Sequence, residues 1–118
     1  MSLNLGLIDY GMGNLHSVEK CLERLEQDCS IVHNADDLDG VDALILPGVG
    51  AFDPAMANLK ATGLVPHLVG WGQKDRPLLG ICLGLQLLFE QSDEGSDPGL
   101  GLLSGRCLLY TSDAADDA

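Results

Sequence analysis

The stretch Pro77-Leu78-Leu79-Gly80-Ile81-Cys82-Leu83-Gly84-Leu85-Gln86-Leu87-Leu88-Phe89 constrains the fold of this chain more than any other. It starts as a short apolar run, turns at a cysteine set between glycines, and continues with helical spacing, so it predicts strand, elbow and helix. Gly-x-Cys-x-Gly is the thiol counterpart of the nucleophile elbow, in which glycines let the backbone turn sharply and lift the side chain between them above a sheet end. Cys82 is therefore the candidate nucleophile. A cysteine alone in an apolar run reads as a buried, inert thiol; the paired glycines at a strand-to-helix junction are what favour chemistry. The helix N-terminus behind the sulfur favours its anion by only about 0.3–1 kcal/mol, so the thiol also needs a general base from elsewhere.

An elbow of this kind needs a sheet, and the chain alternates strand and helix patterns. Leu3 to Asp9 is an apolar run that enters the loop Tyr10-Gly11-Met12-Gly13-Asn14. A helical pattern follows, with Leu15, Val18, Leu22 and Leu25 on one stripe, charged residues between them, and Asn14 as the N-cap. Cys29 to His33 predicts a second strand, Asn34 to Gly40 a turn, and Val41 to Leu46 a third strand that runs into Pro47-Gly48-Val49-Gly50-Ala51-Phe52-Asp53. Ala55 to Lys74 predicts two short helices with breaks at Gly63, Pro66 and Gly70, and Trp71 as a packing residue. Residues 90–99 read as an acidic loop, Leu100 to Leu103 as a weak strand, and residues 108–118 show neither period. In an alternating α/β chain the strands run parallel and ligands collect at their C-terminal ends. The loops at Tyr10, at Pro47 and at Cys82 would meet there, and the glycines around Val49 would leave backbone N–H groups free for an oxyanion.

Other readings of the same residues carry less. Gly11-Met12-Gly13 is half of a dinucleotide fingerprint, with His16 where the third glycine belongs. Asp36, Asp37 and Asp39 lack the spacing and terminal glutamate of a calcium loop. Cys21, Cys29, Cys82 and Cys107 have no Cys-x-x-Cys or His/Cys clustering, so no metal site is indicated. Six basic against 18 acidic residues, a net charge of -12, argue against nucleic acid and anionic membrane surfaces as partners. No leader pattern and no run of about eighteen apolar residues is present, so free thiols in a reducing cytoplasm are expected. His16 lies nearer the expected site but is only a minor candidate as a base for Cys82, while His67 is expected on a helix surface or in the core.

Three motifs together resemble the class I glutamine amidotransferases, and among these the glutaminase subunits of imidazole glycerol phosphate synthase. They are Asp9-Tyr10-Gly11-Met12-Gly13-Asn14-Leu15, Leu46-Pro47-Gly48-Val49-Gly50-Ala51-Phe52, and Gly80-Ile81-Cys82-Leu83-Gly84-Leu85-Gln86. Gly99 to Gly105 also resembles the family segment after the elbow helix, so the likeness covers about residues 3 to 106. The resemblance implies a three-layer α/β/α domain with a mostly parallel, flavodoxin-like sheet, here incomplete. It implies hydrolysis of glutamine to glutamate and ammonia, the ammonia passing to a (β/α)8-barrel cyclase in histidine biosynthesis. In that scheme Cys82 attacks the side-chain amide. The N–H of Leu83, with that of Val49 or Gly50 after a peptide rearrangement, holds the oxyanion. Gly48, Gly50 and Gln86 place the glutamine, and Tyr10, Gly11, Met12, Gly13 and Asn14 lie near the partner. No metal or organic cofactor is implied.

The family's catalytic histidine and glutamate lie well beyond the elbow, and this sequence has no histidine after His67. The expectation is a family region over residues 1–107 followed by a non-family tail over 108–118, a truncated chain, and poor or absent glutaminase turnover by the polypeptide as it stands. Two alternatives stay open: an amidotransferase serving a different synthase, and a non-catalytic domain that binds glutamine or a partner.

Overall fold

A computed structural model of the chain describes residues 3–13, 15–92 and 98–107. Four strands, β1 (Leu5–Ile8), β2 (Cys29–Val32), β3 (Ala43–Leu46) and β4 (Leu78–Gly80), form one parallel sheet in the order β2-β1-β3-β4. Register is direct: Leu5 pairs with Cys29 on one side and Ala43 on the other, and Leu46 pairs with Gly80. All four residues of β3 are buried, as expected of a strand covered on both faces.

Between β1 and β2 runs α1 (Leu15–Arg24), and between β3 and β4 run α2 (Phe52–Ala61) and α3 (Val65–Gln73). The chain steps from β1 to β2 in one direction and from β3 to β4 in the other, so right-handed crossovers set α1 and the α2–α3 pair on opposite faces. This gives the three layers that the resemblance implies. The packing is unequal between the two faces. Phe52, Ala55, Met56 and Leu59 bury one stripe of α2, and Leu68 and Trp71 bury one of α3, whereas α1 has no fully buried residue and Leu25, just past its end, is 74% exposed.

Several sequence expectations shift. The loop after β3 ends two residues earlier than expected, because Phe52 and Asp53 already belong to α2. Gly63, at φ +76°, marks the break between α2 and α3. Pro66 instead sits in the first turn of α3, where its missing N–H costs nothing, and Gly70 lies inside that helix. The Asn34–Gly40 turn contains a 3-10 turn over Ala35–Leu38, capped by the Asn34 side chain, which accepts from the N–H groups of Asp36 and Asp37 at 3.0 and 3.3 Å.

The largest correction follows the elbow. The helix α4 spans only Leu83–Leu87, and Phe89–Ser92 is a strand, β5, paired in parallel with β6 (Leu103–Cys107) in a second sheet. The cause is competition for backbone groups: the N–H groups of Leu100 and Gly101 donate to the carbonyls of Leu87 and Phe89 at 2.7 and 3.2 Å. Gly99 makes this approach possible, since a Cβ there would strike the Phe89 carbonyl oxygen. Leu100 is buried in the main core rather than in a strand. Asn14, expected as the N-cap of α1, and residues 108–118 lie outside the described residues.

Candidate functional site

The β4 strand hands the chain to Ile81, whose N–H donates to the Leu46 carbonyl at 3.0 Å and so stays tied to β3. The next residue, Cys82, has φ 54° and ψ −123°, and α4 begins immediately after it. The sharp turn is therefore taken by the cysteine itself. Neither flanking glycine has a positive φ; both are required by close approach instead. A Cβ on Gly80 would lie 2.7 Å from the Leu85 Cα, and one on Gly84 would strike the Leu46 carbonyl oxygen. The two glycines let α4 press against the ends of β3 and β4, and that pressure holds Cys82 in a conformation L residues avoid. Its side chain is exposed and its thiol is free. With five residues behind the sulfur, α4 adds little dipole assistance.

Across from the elbow lies the loop after β3. The Leu83 N–H, the first expected oxyanion donor, donates to the Gly48 carbonyl at 3.1 Å. In this arrangement the donor is occupied, and freeing it requires the Gly48–Val49 peptide to turn. Gly48 is buried, and a Cβ there would sit 2.5 Å from the Tyr10 hydroxyl, 3.0 Å from the Gly84 nitrogen and 3.1 Å from the Leu83 Cβ. Val49 is 53% exposed, and Gly50, also exposed, has φ +97°. Gln86 is half-buried on α4.

The third wall is the loop after β1. Tyr10 is buried, and its hydroxyl donates to the Pro47 carbonyl at 2.7 Å. Burial pushes the Tyr10 hydroxyl up to about 12, so it stays a protonated donor at any physiological pH. Gly13, at φ +137°, approaches Pro47 and the Gly48 nitrogen, and the Met12 terminal methyl approaches Gly50. Gly11 donates its N–H to the Asp9 carboxylate at 3.2 Å. Four of the five residues expected near a partner are thus described, and Tyr10, Met12 and Gly13 abut the loop after β3. The Tyr10–Pro47 bond was not legible in the spacing of motifs, because it joins residues 37 positions apart.

No histidine is hydrogen-bonded to Cys82 among the described residues. His16 is exposed on α1. The His33 ring bonds the Asp9 carboxylate at 3.1 Å beyond β2, which lies three strand positions from β4, or about 14 Å at about 4.8 Å per strand. His67 is exposed on α3 and lines a concavity of about 290 Å³ with Trp71, Lys74 and Arg76. A concavity of about 560 Å³ opens at the N-terminal strand ends, around Leu3, Cys29 and Val41, opposite the edge that carries Cys82. The elbow commands more weight than this larger hollow, because parallel sheets bind ligands at their C-terminal edge. Among the described residues no group of three or more His, Cys, Asp or Glu could hold a metal, and no helix is long and apolar enough to cross a membrane.

Known proteins resemble this chain in fold and in sequence. A solved structure described as the crystal structure of glutamine amidotransferase superposes with a TM-score of 0.74 at 22% identity, covering 86% of this chain and 54% of that one, a likeness of fold. Two curated relatives named imidazole glycerol phosphate synthase subunit HisH come from Synechococcus. That of strain CC9605 is 88% identical over 98% of this chain and 54% of its own length, and that of strain CC9902 is 70% identical over 89% and 49%. A protein named imidazole glycerol phosphate synthase subunit HisH 2, from Parasynechococcus marenigrum strain WH8102, is 68% identical over 89% of this chain and 50% of its own. The chain spans about half the length of the curated relatives it matches. The pattern of the family described as glutamine amidotransferase class-I matches residues 6–95, which take in β1 from Gly6 on, the loop after β3 and the whole elbow, and the chain belongs to that family.

Proposed function

We propose that this chain carries the nucleophile and oxyanion portion of a glutaminase that hydrolyses glutamine to glutamate and ammonia, the ammonia passing to a cyclase subunit in histidine biosynthesis. The observation that carries the reading is Cys82, an exposed thiol at φ 54° on the C-terminal edge of a parallel sheet, beside a glycine loop. The names of the relatives, each a subunit of imidazole glycerol phosphate synthase, support the pathway and a further subunit as partner; that this partner is a (β/α)8-barrel cyclase follows from the family resemblance.

The Cys82 sulfur attacks the carboxamide carbon of glutamine; a C–S bond forms and the carbonyl π pair moves to oxygen. The Leu83 N–H receives that oxyanion once the Gly48–Val49 peptide has turned and its own N–H, or that of Gly50, has joined. A general base takes the thiol proton and returns it to nitrogen as collapse breaks the C–N bond and ammonia leaves; water then cleaves the thioester, giving glutamate and the free thiol. Gly48, Gly50 and Gln86 border the glutamine. No histidine here is poised to take the thiol proton, so the 118-residue chain labels at Cys82 far faster than it turns over. The occupied Leu83 N–H favours a second reading, a domain that holds glutamine without hydrolysing it.

A glutamine-derived chloromethyl ketone tests the reading. The chain should be alkylated at Cys82 at least about tenfold faster than at Cys21 or Cys29, with free glutamine protecting. Equal labelling of the three thiols would sink the glutaminase reading. Protection by glutamine with no preferential alkylation would support the binding domain.

A further inference from the structure

Two consecutive carbonyls of the loop after β3 are held by different groups. That of Pro47 accepts from the buried Tyr10 hydroxyl at 2.7 Å, and that of Gly48 accepts from the Leu83 N–H at 3.1 Å. We propose that Tyr10 is a positioning residue for the oxyanion: its hydroxyl fixes the Pro47–Gly48 peptide, so that freeing the Leu83 N–H is confined to a turn of the single peptide Gly48–Val49. The proposal rests on the glutaminase reading and deepens it.

The two bonds are unequal in ways that decide which one gives. The first is a short O–H···O bond inside the core, where releasing the Pro47 carbonyl would leave a buried acceptor without its partner. The second is longer and sits beside the exposed Val49. The proline ring adds stiffness on the near side of the hinge by fixing its own φ. On the far side Gly50 is already in the left-handed region, and Gly48 lacks the Cβ that would collide with Tyr10, Gly84 and Leu83. The loop thus has one clamped end and one pivoting end. Tyr10 is the clamp, and at a pKa of about 12 it holds unchanged across physiological pH.

The test compares the 118-residue chain with its Tyr10→Phe variant, using two reagents at Cys82 read by mass spectrometry. The glutamine-derived chloromethyl ketone adds through a tetrahedral oxyanion before sulfur displaces chloride. Iodoacetamide loses iodide in one displacement and needs no oxyanion donor. Tyr10→Phe should slow the ketone about fivefold, the worth of one net hydrogen bond, and leave iodoacetamide within about a factor of two. Equal slowing of both reagents, or no change in either, overturns the proposal. Failure of the glutaminase reading shows separately in the parent, as a ketone that prefers Cys82 over Cys21 and Cys29 no more than iodoacetamide does; that outcome removes the proposal as well. Should Tyr10→Phe fail to fold by Trp71 emission, the parent's Tyr10 hydroxyl proton decides. Slow exchange with coupling to the Pro47 carbonyl carbon supports the clamp, and exchange as fast as a free phenol overturns it.

Discussion

Replacing Cys82 by glycine and, separately, by alanine measures what the elbow stores. Both variants remove the thiol, and because the side chain is exposed neither sacrifices much packing. Alanine keeps a Cβ at φ 54°, ψ −123°, where a non-glycine residue costs about 1–3 kcal/mol. Glycine escapes that cost but loses about 0.5–1 kcal/mol more backbone freedom on folding. The difference leaves Cys82→Gly about 1 kcal/mol more stable than Cys82→Ala. With a urea m-value of about 2 kcal/mol/M for a chain this size, the midpoints should separate by about 0.5 M at equal slopes. A glycine variant no more stable than the alanine one would refute the idea that Cys82 is held under strain.

Two further outcomes follow from the same geometry. Gly84→Ala should destabilise by about 3 kcal/mol in urea unfolding, because backbone blocks its Cβ, whereas Gly70→Ala, with open space around it inside α3, should stabilise by about 0.5–1 kcal/mol. Tyr10 predicts an alkaline weakness. Its pKa is higher folded than unfolded, about 12 against 10.0, so its contribution is complete below pH 10 and is lost as pH rises towards 12. Between pH 9 and 11 the parent should lose about 1.4 kcal/mol more stability than Tyr10→Phe, and equal losses would count against burial of the hydroxyl.

The elements legible in sequence were those written in short, regular patterns. The apolar runs at Leu5, Cys29, Ala43 and Leu78 became the four parallel strands, and the Cys82 elbow appeared where a strand pattern gave way to a helical one. What sequence misplaced depended on contacts made at a distance. Leu87-Leu88-Phe89 continues a helical pattern, but the Leu100 and Gly101 amides capture its carbonyls and the chain leaves the helix. The elbow glycines were assigned to backbone freedom when their task is to admit neighbouring backbone. The bond from Tyr10 to Pro47 is likewise invisible in the sequence, because it forms only where β1 and β3 lie side by side.

The shallow seating of α1 separates two kinds of order in this domain. A ten-residue helix is marginal in water without a buried face, so α1 should open locally, its amides exchanging with solvent well before those of β1 and β3. The loop after β3 does not share that fate, because it is tied to Tyr10, which precedes α1 in the chain and belongs to the core. The fold can therefore tolerate a melted α1 while the surroundings of Cys82 keep their shape.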